Sequence, residues 1–344
     1  MRSTRVIHMV SVHAEGENGH VITGGVGPIP GSTLWEQRDY LHNDGALRDL
    51  LLNEPRGHVS THVNLLVPAR DPSAQMGFLI MEPVHTPPMS GSNAICTATV
   101  CLETGLLPMQ EPITEIVLEA PAGPVKVRAT CKEGKVTACR ITNVASFADR
   151  TDIPLEVEGL PTLSVCTAWG GDSFVIVDAA TLGFSLTPDE GADLCRMGQR
   201  ITRAANDQIG FRHPVLDWSH LSFCQFAGPL TRRGNEISGP NAVVIDPGRL
   251  DRSACGTGCS ARLAVLHAKG LIDGDTFYRA RSVIGGTFVA RIEGETQIGG
   301  RPAIIPSVEG QAWITGTHQI LLDPTDPWPR GYRISDTWPG PIAR

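Results

Sequence analysis

Short runs of apolar and β-branched residues, separated by glycine and proline, dominate the pattern along this chain. Runs of this kind, four to eight residues long and bounded by turn residues, are typical of β-strands. They predict strands over residues 6–12, 63–67, 77–81, 115–118, 125–130, 173–177, 242–245 and 287–292. Helices are predicted over residues 41–52 and 188–208. Many strands with few, well-separated helices favour an α+β fold over a doubly wound sheet.

Two segments, residues 90–107 and 255–272, repeat one layout. In each, a nucleophile-type residue precedes glycine and then a hydroxyl residue, and another glycine follows 15 residues after the first position. This layout predicts a small-residue loop, about three turns of helix and a glycine stop. The residues that open the two segments are Ser90-Gly91-Ser92 and Cys255-Gly256-Thr257. The repeat indicates two similar halves with an active site between them.

The chemistry of the two loops follows from their place at a helix N-terminus. Free N–H groups and a partial positive charge at each terminus suit the binding of one carboxylate from both sides. The same field predicts a lowered pKa for the thiol of Cys255, which would make it an acid or base at neutral pH. Ser90 needs an activating neighbour, for which His85 and Asp251 are candidates, and it could otherwise simply cap its helix.

Two acid–base residues around a bound carboxylate suit proton exchange at the carbon next to that carboxylate. The amides would stabilise the developing enediolate charge, and a base on one or both faces would move the proton. No motif for a nucleotide, flavin or pyridoxal phosphate is present, and the cysteine spacings do not favour a zinc site.

Composition narrows the class of protein. At 344 residues with 41% hydrophobic residues, the chain suits two domains with real cores. A net charge of −7 and few aromatics argue against a nucleic-acid partner. No apolar run is long enough to span a membrane, and the start is too short for a signal peptide. Nine cysteines without a secretion signal predict reduced thiols and a cytoplasmic location.

A polar, proline-bearing stretch over residues 147–162 predicts the boundary between the halves. We therefore expect a first half over residues 1–155, joined by the C-terminal segment 320–344, and a second half over residues 156–319. The tail from residue 323 onward contains five prolines and is expected to pack as an irregular strap.

Several motifs resemble the proline racemase family, which includes hydroxyproline 2-epimerases and trans-3-hydroxy-L-proline dehydratases. Residues 251–258 resemble its second active-site motif, and residues 89–92 resemble its first, which usually reads Met-Cys-Gly-His. Further likeness lies at residues 12–17, 54–58, 170–174, 316–317 and 326–331.

The resemblance implies two similar α/β halves, each a curved, mostly antiparallel sheet around a central helix, as in diaminopimelate epimerase. It implies an active site in the cleft between them, without cofactor or metal, and homodimers are frequent among members. It further implies a small-molecule substrate whose carboxylate is held by Gly91, Ser92, Gly256 and Thr257. Asp251 would contact the ring nitrogen or hydroxyl of that substrate.

The chain departs from the racemase pattern at Ser90, which replaces the first cysteine, and at Ser92, which replaces the histidine. Members with a Ser/Cys pair resemble trans-3-hydroxy-L-proline dehydratases, so we expect dehydration to 1-pyrroline-2-carboxylate. Elimination needs a base on one face only. By position Ser90 should face the Cα proton of an L-substrate, whereas by acidity Cys255 is the better base. The alternatives are a 4-hydroxyproline 2-epimerase, a dual activity, and a non-catalytic binder of proline analogues.

Overall fold

The chain forms two contact units, each with its own core. The computed structural model describes residues 3–339. Among these, the residues up to Ile141 and from Gln311 onward form unit 1, and Thr142–Gly310 form unit 2. Both divisions lie somewhat earlier in the chain than the boundaries expected from the sequence.

Unit 1 contains three helices, α1 (Leu34–Asp44), α2 (Ala46–Leu52) and α3 (Gly91–Glu103), among its described residues. Its strands are β1 (Arg5–Ala14), β2 (Glu17–Asn18), β3 (His20–Gly24), β4 (Val63–Val67), β5 (Met76–Met81), β6 (Ile113–Ala120), β7 (Gly123–Lys132), β8 (Lys135–Thr142, whose last residue belongs to unit 2) and β19 (Ala312–Leu322).

The strands of unit 1 pair in a mixed, mostly antiparallel order. β1 pairs antiparallel with β19 and β3, and β4 runs parallel to β3. The order continues through β5, antiparallel to β4, and β6, parallel to β5, to β7, antiparallel to β6. Each parallel pair requires a crossover connection, and these crossovers contain α1 with α2 and then α3.

Unit 2 contains α4 (Gly191–Gln208) and α5 (Gly256–Ala268), with short 3-10 turns at Ala180–Leu182 and Pro188–Glu190. Its strands are β9 (Phe147–Leu155), β10 (Leu163–Trp169), β11 (Ser173–Asp178), β12 (Phe223–Ala227), β13 (Thr231–Arg233), β14 (Glu236–Ile245), β15 (Arg249–Leu250), β16 (Phe277–Arg281), β17 (Thr287–Ile298) and β18 (Arg301–Gly310).

Unit 2 repeats the pairing order of unit 1. β9, β10 and β11 pair antiparallel in succession, and β12 runs parallel to β11. β14 is antiparallel to β12, β16 is parallel to β14, and β17 is antiparallel to β16. The crossovers contain α4 and then α5. Each unit is therefore a sheet with the same succession of parallel and antiparallel neighbours, and the α+β class predicted from the sequence is confirmed.

A helix that is buried on all sides lies in the core of each unit. Every residue of α3 from Gly91 to Leu102 is buried, as is every residue of α5 from Gly256 to Leu266. Such helices need apolar and small residues around the whole circumference. Both end before a glycine with positive φ, Gly105 at 75° and Gly270 at 67°. The helices and glycine stops expected for the two repeat segments are present.

The other helix predictions hold in part. The stretch predicted as one helix over residues 41–52 contains the end of α1 and the whole of α2. Gly45 separates them because its left-handed backbone, with φ of 62°, caps α1 with a hydrogen bond to Leu41. The stretch at 188–208 is α4, preceded by a 3-10 turn. All the predicted strands lie within observed strands.

The C-terminal tail packs on α2 as an irregular strap over residues 323–339, and the rest of the strap expected from the sequence lies outside the described residues. Tyr332 donates its backbone N–H to the carbonyl of Glu54 at 2.8 Å, and Trp338 is buried. Arg56, in one of the family-like motifs, forms an ion pair with Asp326. None of the helices in residues 3–339 has the length and hydropathy needed to cross a membrane.

Candidate active site

Ser90 is the N-cap residue of α3. Its backbone is extended, and its hydroxyl oxygen accepts hydrogen bonds from the backbone N–H of Asn93 at 3.4 Å and from the Asn93 side-chain amide at 2.9 Å. The Ser92 hydroxyl lies 3.4 Å from it. These neighbours, Asn93 and Ser92, are neutral. Ser90 therefore caps α3, while its role in proton transfer stays a prediction.

A second asparagine fixes the side chain of Asn93. Asn64, on β4, donates to the Asn93 side-chain oxygen at 2.8 Å and to the carbonyl of Gly19 at 3.0 Å. Gly19 itself lies so close to α3 that a Cβ atom there would come within 2.7 Å of the Asn93 side-chain oxygen and 2.9 Å of the Cys96 sulfur. Because Asn93 is held from its oxygen side, its NH₂ group is directed at Ser90.

Gly91 and Ser92 form the first turn of α3, as the sequence predicted. Both are buried, with Ser92 only 4% exposed. The first N–H groups of a helix have no partner within the helix and carry its positive dipole end. This turn can therefore hold an anion, although no imidazole is present at Ser92 to assist.

Cys255 occupies the corresponding N-cap of α5 in a strained backbone conformation, with φ of 59° and ψ of 103°. Its sulfur accepts the backbone N–H of Gly258 at 3.3 Å and lies 3.6 Å from the Thr257 hydroxyl. A positive φ at a residue with a side chain costs energy and is frequent at functional sites. This conformation places the thiol at the first turn of α5, where it accepts the Gly258 N–H.

Asp251 supports the same loop. Its Oδ1 accepts hydrogen bonds from the backbone N–H and the hydroxyl of Ser253, both at 2.8 Å. The Ser253 hydroxyl oxygen in turn accepts the backbone N–H of Cys255 at 3.0 Å. Asp251 is 7% exposed. The carboxylate expected to contact a substrate therefore also positions Cys255 through Ser253.

A buried network holds the other side of the Cys255 loop. The Asn241 side-chain amide donates to the carbonyl of Ala254 at 2.8 Å, and the Tyr278 hydroxyl donates to the Asn241 side-chain oxygen at 3.3 Å. Arg262, on α5, donates to the Tyr278 hydroxyl at 2.8 Å. Because these hydrogen bonds link one buried side chain to the next and end at the loop backbone, they leave the loop few alternative conformations.

The pKa of Cys255 is shifted in the direction opposite to the one predicted from the sequence. Burial raises the pKa of this thiol well above its ordinary value, and the nearby Asp251 carboxylate raises it further. The Thr257 hydroxyl and the Gly258 N–H act in the opposite direction, as expected at a helix N-terminus. The prediction of a lowered pKa is wrong because desolvation of a buried sulfur outweighs these hydrogen bonds.

Sequence reasoning missed the residues that support the two N-caps. These are Asn64, Asn93 and Gly19 beside Ser90, and Asn241, Ser253 and Gly170 beside Cys255. A Cβ atom at Gly170 would come within 2.1 Å of the Thr257 carbonyl oxygen. Only the glycines gave a signal, since glycines at strand ends indicate a turn or a close backbone approach. The asparagines come together only through the fold.

The chain is similar to proteins of known structure over nearly its whole length. A hydroxyproline epimerase from Agrobacterium vitis, with bound trans-4-hydroxy-L-proline, is 36% identical, with a TM-score of 0.93 and coverage of 98% of both chains. A probable proline racemase from Agrobacterium radiobacter K84, with bound carbonate, is also 36% identical, with a TM-score of 0.91 over 96% of this chain and 98% of that one.

More distant structures share the fold alone. A PhzF-family phenazine biosynthesis protein from Bacillus anthracis is 11% identical, with a TM-score of 0.58 over 92% of this chain and 99% of that chain.

The family model described as proline racemase matches residues 9–333. The paired pattern of N-caps at Ser90 and Cys255 lies within this match. The chain belongs to the proline racemase family.

Proposed function

We propose that this chain dehydrates trans-3-hydroxy-L-proline to 1-pyrroline-2-carboxylate, without a cofactor, by abstracting the Cα proton. The observation that carries the proposal is the unequal pair of N-cap residues. Cys255 offers a thiol, whereas Ser90 offers a hydroxyl whose partners are neutral. An elimination needs one proton-transfer residue, and inversion at Cα needs two.

Substrate binding in this proposal relies on the first turns of α3 and α5. The N–H groups of Gly91, Ser92, Gly256 and Thr257 would hold the substrate carboxylate, since helix N-termini favour anions. As negative charge develops on that carboxylate during proton abstraction, the same groups would stabilise the enediolate. Asp251 would contact the ring nitrogen or the hydroxyl of the substrate.

In this proposal a single thiol carries out both proton transfers of the elimination. For Cys255 to act on the L-substrate, the ring must bind with its Cα–H towards the thiol, a pose other than the one in which Ser90 faces that proton. The thiolate of Cys255 then takes the Cα proton, and the electron pair left on Cα forms the double bond to C3 as the C3–O bond breaks. In the trans isomer the Cα hydrogen and the hydroxyl lie on the same ring face, so the thiol can return its proton to the departing hydroxyl as water. The enamine then moves a proton from nitrogen to C3 to give the cyclic imine.

A second candidate function is 4-hydroxyproline 2-epimerisation. It is favoured by the epimerase from Agrobacterium vitis, which is 36% identical and was crystallised with trans-4-hydroxy-L-proline. In that reaction Ser90 would have to deliver or remove a proton on the face opposite Cys255. A hydroxyl whose described hydrogen-bond partners, Ser92 and Asn93, are neutral does so poorly, which is why we place dehydration first.

A substrate panel in deuterium oxide separates the candidates. The purified chain is incubated with trans-3-hydroxy-L-proline, trans-4-hydroxy-L-proline and L-proline, and proton NMR records the pyrroline product and the Cα deuterium. Dehydration predicts loss of water from the 3-hydroxy isomer at least tenfold faster than inversion of the 4-hydroxy isomer. Rapid inversion without any pyrroline product would establish the epimerase instead, and tight binding without turnover would establish a binder.

Variants assign the proton-transfer residue. Cys255→Ser should lower kcat for dehydration by about 10² to 10⁴, the usual contribution of a general base. Cys195→Ser, which changes a partly exposed thiol on α4, is the matched control and should keep wild-type activity. Ser90→Ala should lower dehydration less than it lowers any Cα exchange of D-isomers. Full dehydratase activity in Cys255→Ser would remove Cys255 from the mechanism.

The proposal also includes a cytoplasmic location and a homodimer, both expected from the sequence and the resemblance. Size-exclusion chromatography with light scattering tests the second of these. A mass near 36.8 kDa, that of one chain, would contradict it.

A further inference from the structure

Unit 2 contains a cavity that the proposed reaction does not use. Its volume is about 670 Å³, within the range of small-molecule sites. Apolar side chains form much of its wall, with Phe184, Leu186 and Pro229 among them. Polar and charged residues also line it, namely Ser185, Thr231, Ser238, Thr287, Glu236, Arg279 and Arg281. A cavity with apolar walls and cationic groups suits an organic anion.

The charged residues that line the cavity are two arginines and one glutamate, Glu236, which leaves one positive charge in excess. Arg279 is paired with Glu236 at 3.2 Å, whereas Arg281 is exposed and forms no ion pair with a residue in the range 3–339. The buried Arg262 lies next to the cavity, because it donates to the backbone carbonyls of two lining residues, Gly228 at 2.7 Å and Pro240 at 3.1 Å.

Arg262 matters because its hydrogen-bond partners are neutral. They are these two carbonyls and the Tyr278 hydroxyl, and Arg262 is only 4% exposed. Gly228 and Pro240 also line the cavity. No carboxylate within residues 3–339 pairs with Arg262, and a buried cation of this kind makes the neighbouring space favourable for an anion.

One wall of the cavity is held in a strained conformation. Leu186 has a φ of 62°, which side-chain-bearing residues rarely adopt. The Glu190 carboxylate accepts the backbone N–H groups of Ser185 at 3.0 Å and Thr187 at 2.9 Å, and thereby fixes the residues on both sides of Leu186. Glu190 also forms the capping box with Thr187 at the start of the 3-10 turn, so the same carboxylate holds the helix N-terminus and this wall of the cavity.

We infer that this cavity binds a small organic carboxylate with an apolar body, and that Arg281 pairs with the carboxylate. The site is separate from the Cys255 loop. Arg262 follows Cys255 by seven residues, which is about 10 Å along a helix. The inference does not depend on the proposed function, because it concerns binding at a place away from the N-cap of α5.

Calorimetric titration of the full chain with 3-phenylpropionate tests the inference. The neutral amide 3-phenylpropanamide tests the need for charge, and inorganic phosphate tests the need for an apolar body. Arg281→Gln removes the proposed partner. Arg233→Gln is the matched control, because Arg233 is an exposed arginine of β13 that does not line the cavity.

We expect 3-phenylpropionate to bind wild type and Arg233→Gln equally, and Arg281→Gln about tenfold more weakly, since charge-assisted hydrogen bonds are worth about 1.5 kcal/mol or more. The amide and phosphate should bind at least tenfold more weakly than 3-phenylpropionate. Absence of binding, or equal affinity in Arg281→Gln and wild type, overturns the inference. Equal affinity for the amide or for phosphate overturns the ligand class.

Thermal unfolding of each variant without ligand confirms that Arg281→Gln folds as wild type does. Dehydratase and epimerase activities of the same variant are measured in parallel. Loss of binding with these activities unchanged supports a second site. Loss of activity in Arg281→Gln equal to that in Cys255→Ser would place the residue in the reaction and overturn the second site.

Discussion

One added methyl group at Gly170 should displace the helix that carries Cys255. Gly170 lies between β10 and β11, and a Cβ atom there would be 2.1 Å from the Thr257 carbonyl oxygen and 2.6 Å from the Ala261 amide nitrogen. Real Cβ atoms keep at least 3.0 Å from such atoms. Both neighbours are backbone, so α5 or the turn must move by about 1 Å, since close-packed interiors have no spare volume.

Gly170→Ala should therefore lower both stability and activity. Overpacking of this kind costs about 1–3 kcal/mol of unfolding free energy, and a 1 Å misplacement of a reacting group costs about 10² in rate. Urea denaturation measures the first and kcat/KM for Cα proton loss measures the second. Gly274→Ala is the matched control, because a Cβ atom there meets open space. Wild-type stability and wild-type kcat/KM in Gly170→Ala would refute the reasoning.

Three further predictions follow from single groups. Tyr278→Phe removes the hydroxyl that bridges Arg262 and Asn241, and should lower the unfolding free energy by about 1–2 kcal/mol in urea titrations, so an unchanged midpoint would contradict the network. Burial lowers the pKa of His213 to about 4. The contribution of the neutral imidazole to the unfolding free energy should therefore be fully present above pH 6.5 and decrease by at most about 3 kcal/mol as the pH falls towards 4. Denaturation curves of His213→Asn over the same pH range should lack this decrease. Because the pKa of Cys255 is raised, kcat/KM should still be increasing with pH at about pH 9, and a plateau near pH 7 in a stopped-time pH profile would contradict a thiolate base.

Much of the fold is encoded in local signals. The strand β4 was predicted with its bounds, because four of its five residues are apolar and a proline follows directly. The repeated loop and helix at Ser90 and Cys255 were predicted because capping residues and terminal glycines act within a few residues. The break between α1 and α2 was missed, although Asp44-Gly45 is a turn signal, because leucines on both sides of Gly45 continue the helical spacing.

The support of the two N-caps could not be read from the sequence. Asn64 is 29 residues from Asn93, and Asn241 is 13 residues from Ala254. Hydrogen bonds over such separations depend on which strands become neighbours in the sheet, and an asparagine in a strand gives no local sign of its partner. The sequence could therefore identify both N-cap residues but not what holds them.

The pKa of Cys255 illustrates how local and global effects compete on one atom. The helix N-terminus is a local feature, visible in the Cys255-Gly256-Thr257 pattern, and it favours the thiolate. Burial and the approach of Asp251 arise only when the loop folds against the sheet, and they favour the thiol. A thiolate with a raised pKa is scarce at neutral pH, but it is a stronger base towards a weakly acidic Cα proton. In the proposed elimination the same raised pKa would slow the return of that proton to the departing hydroxyl, so the loop would favour the first step of that reaction over the second.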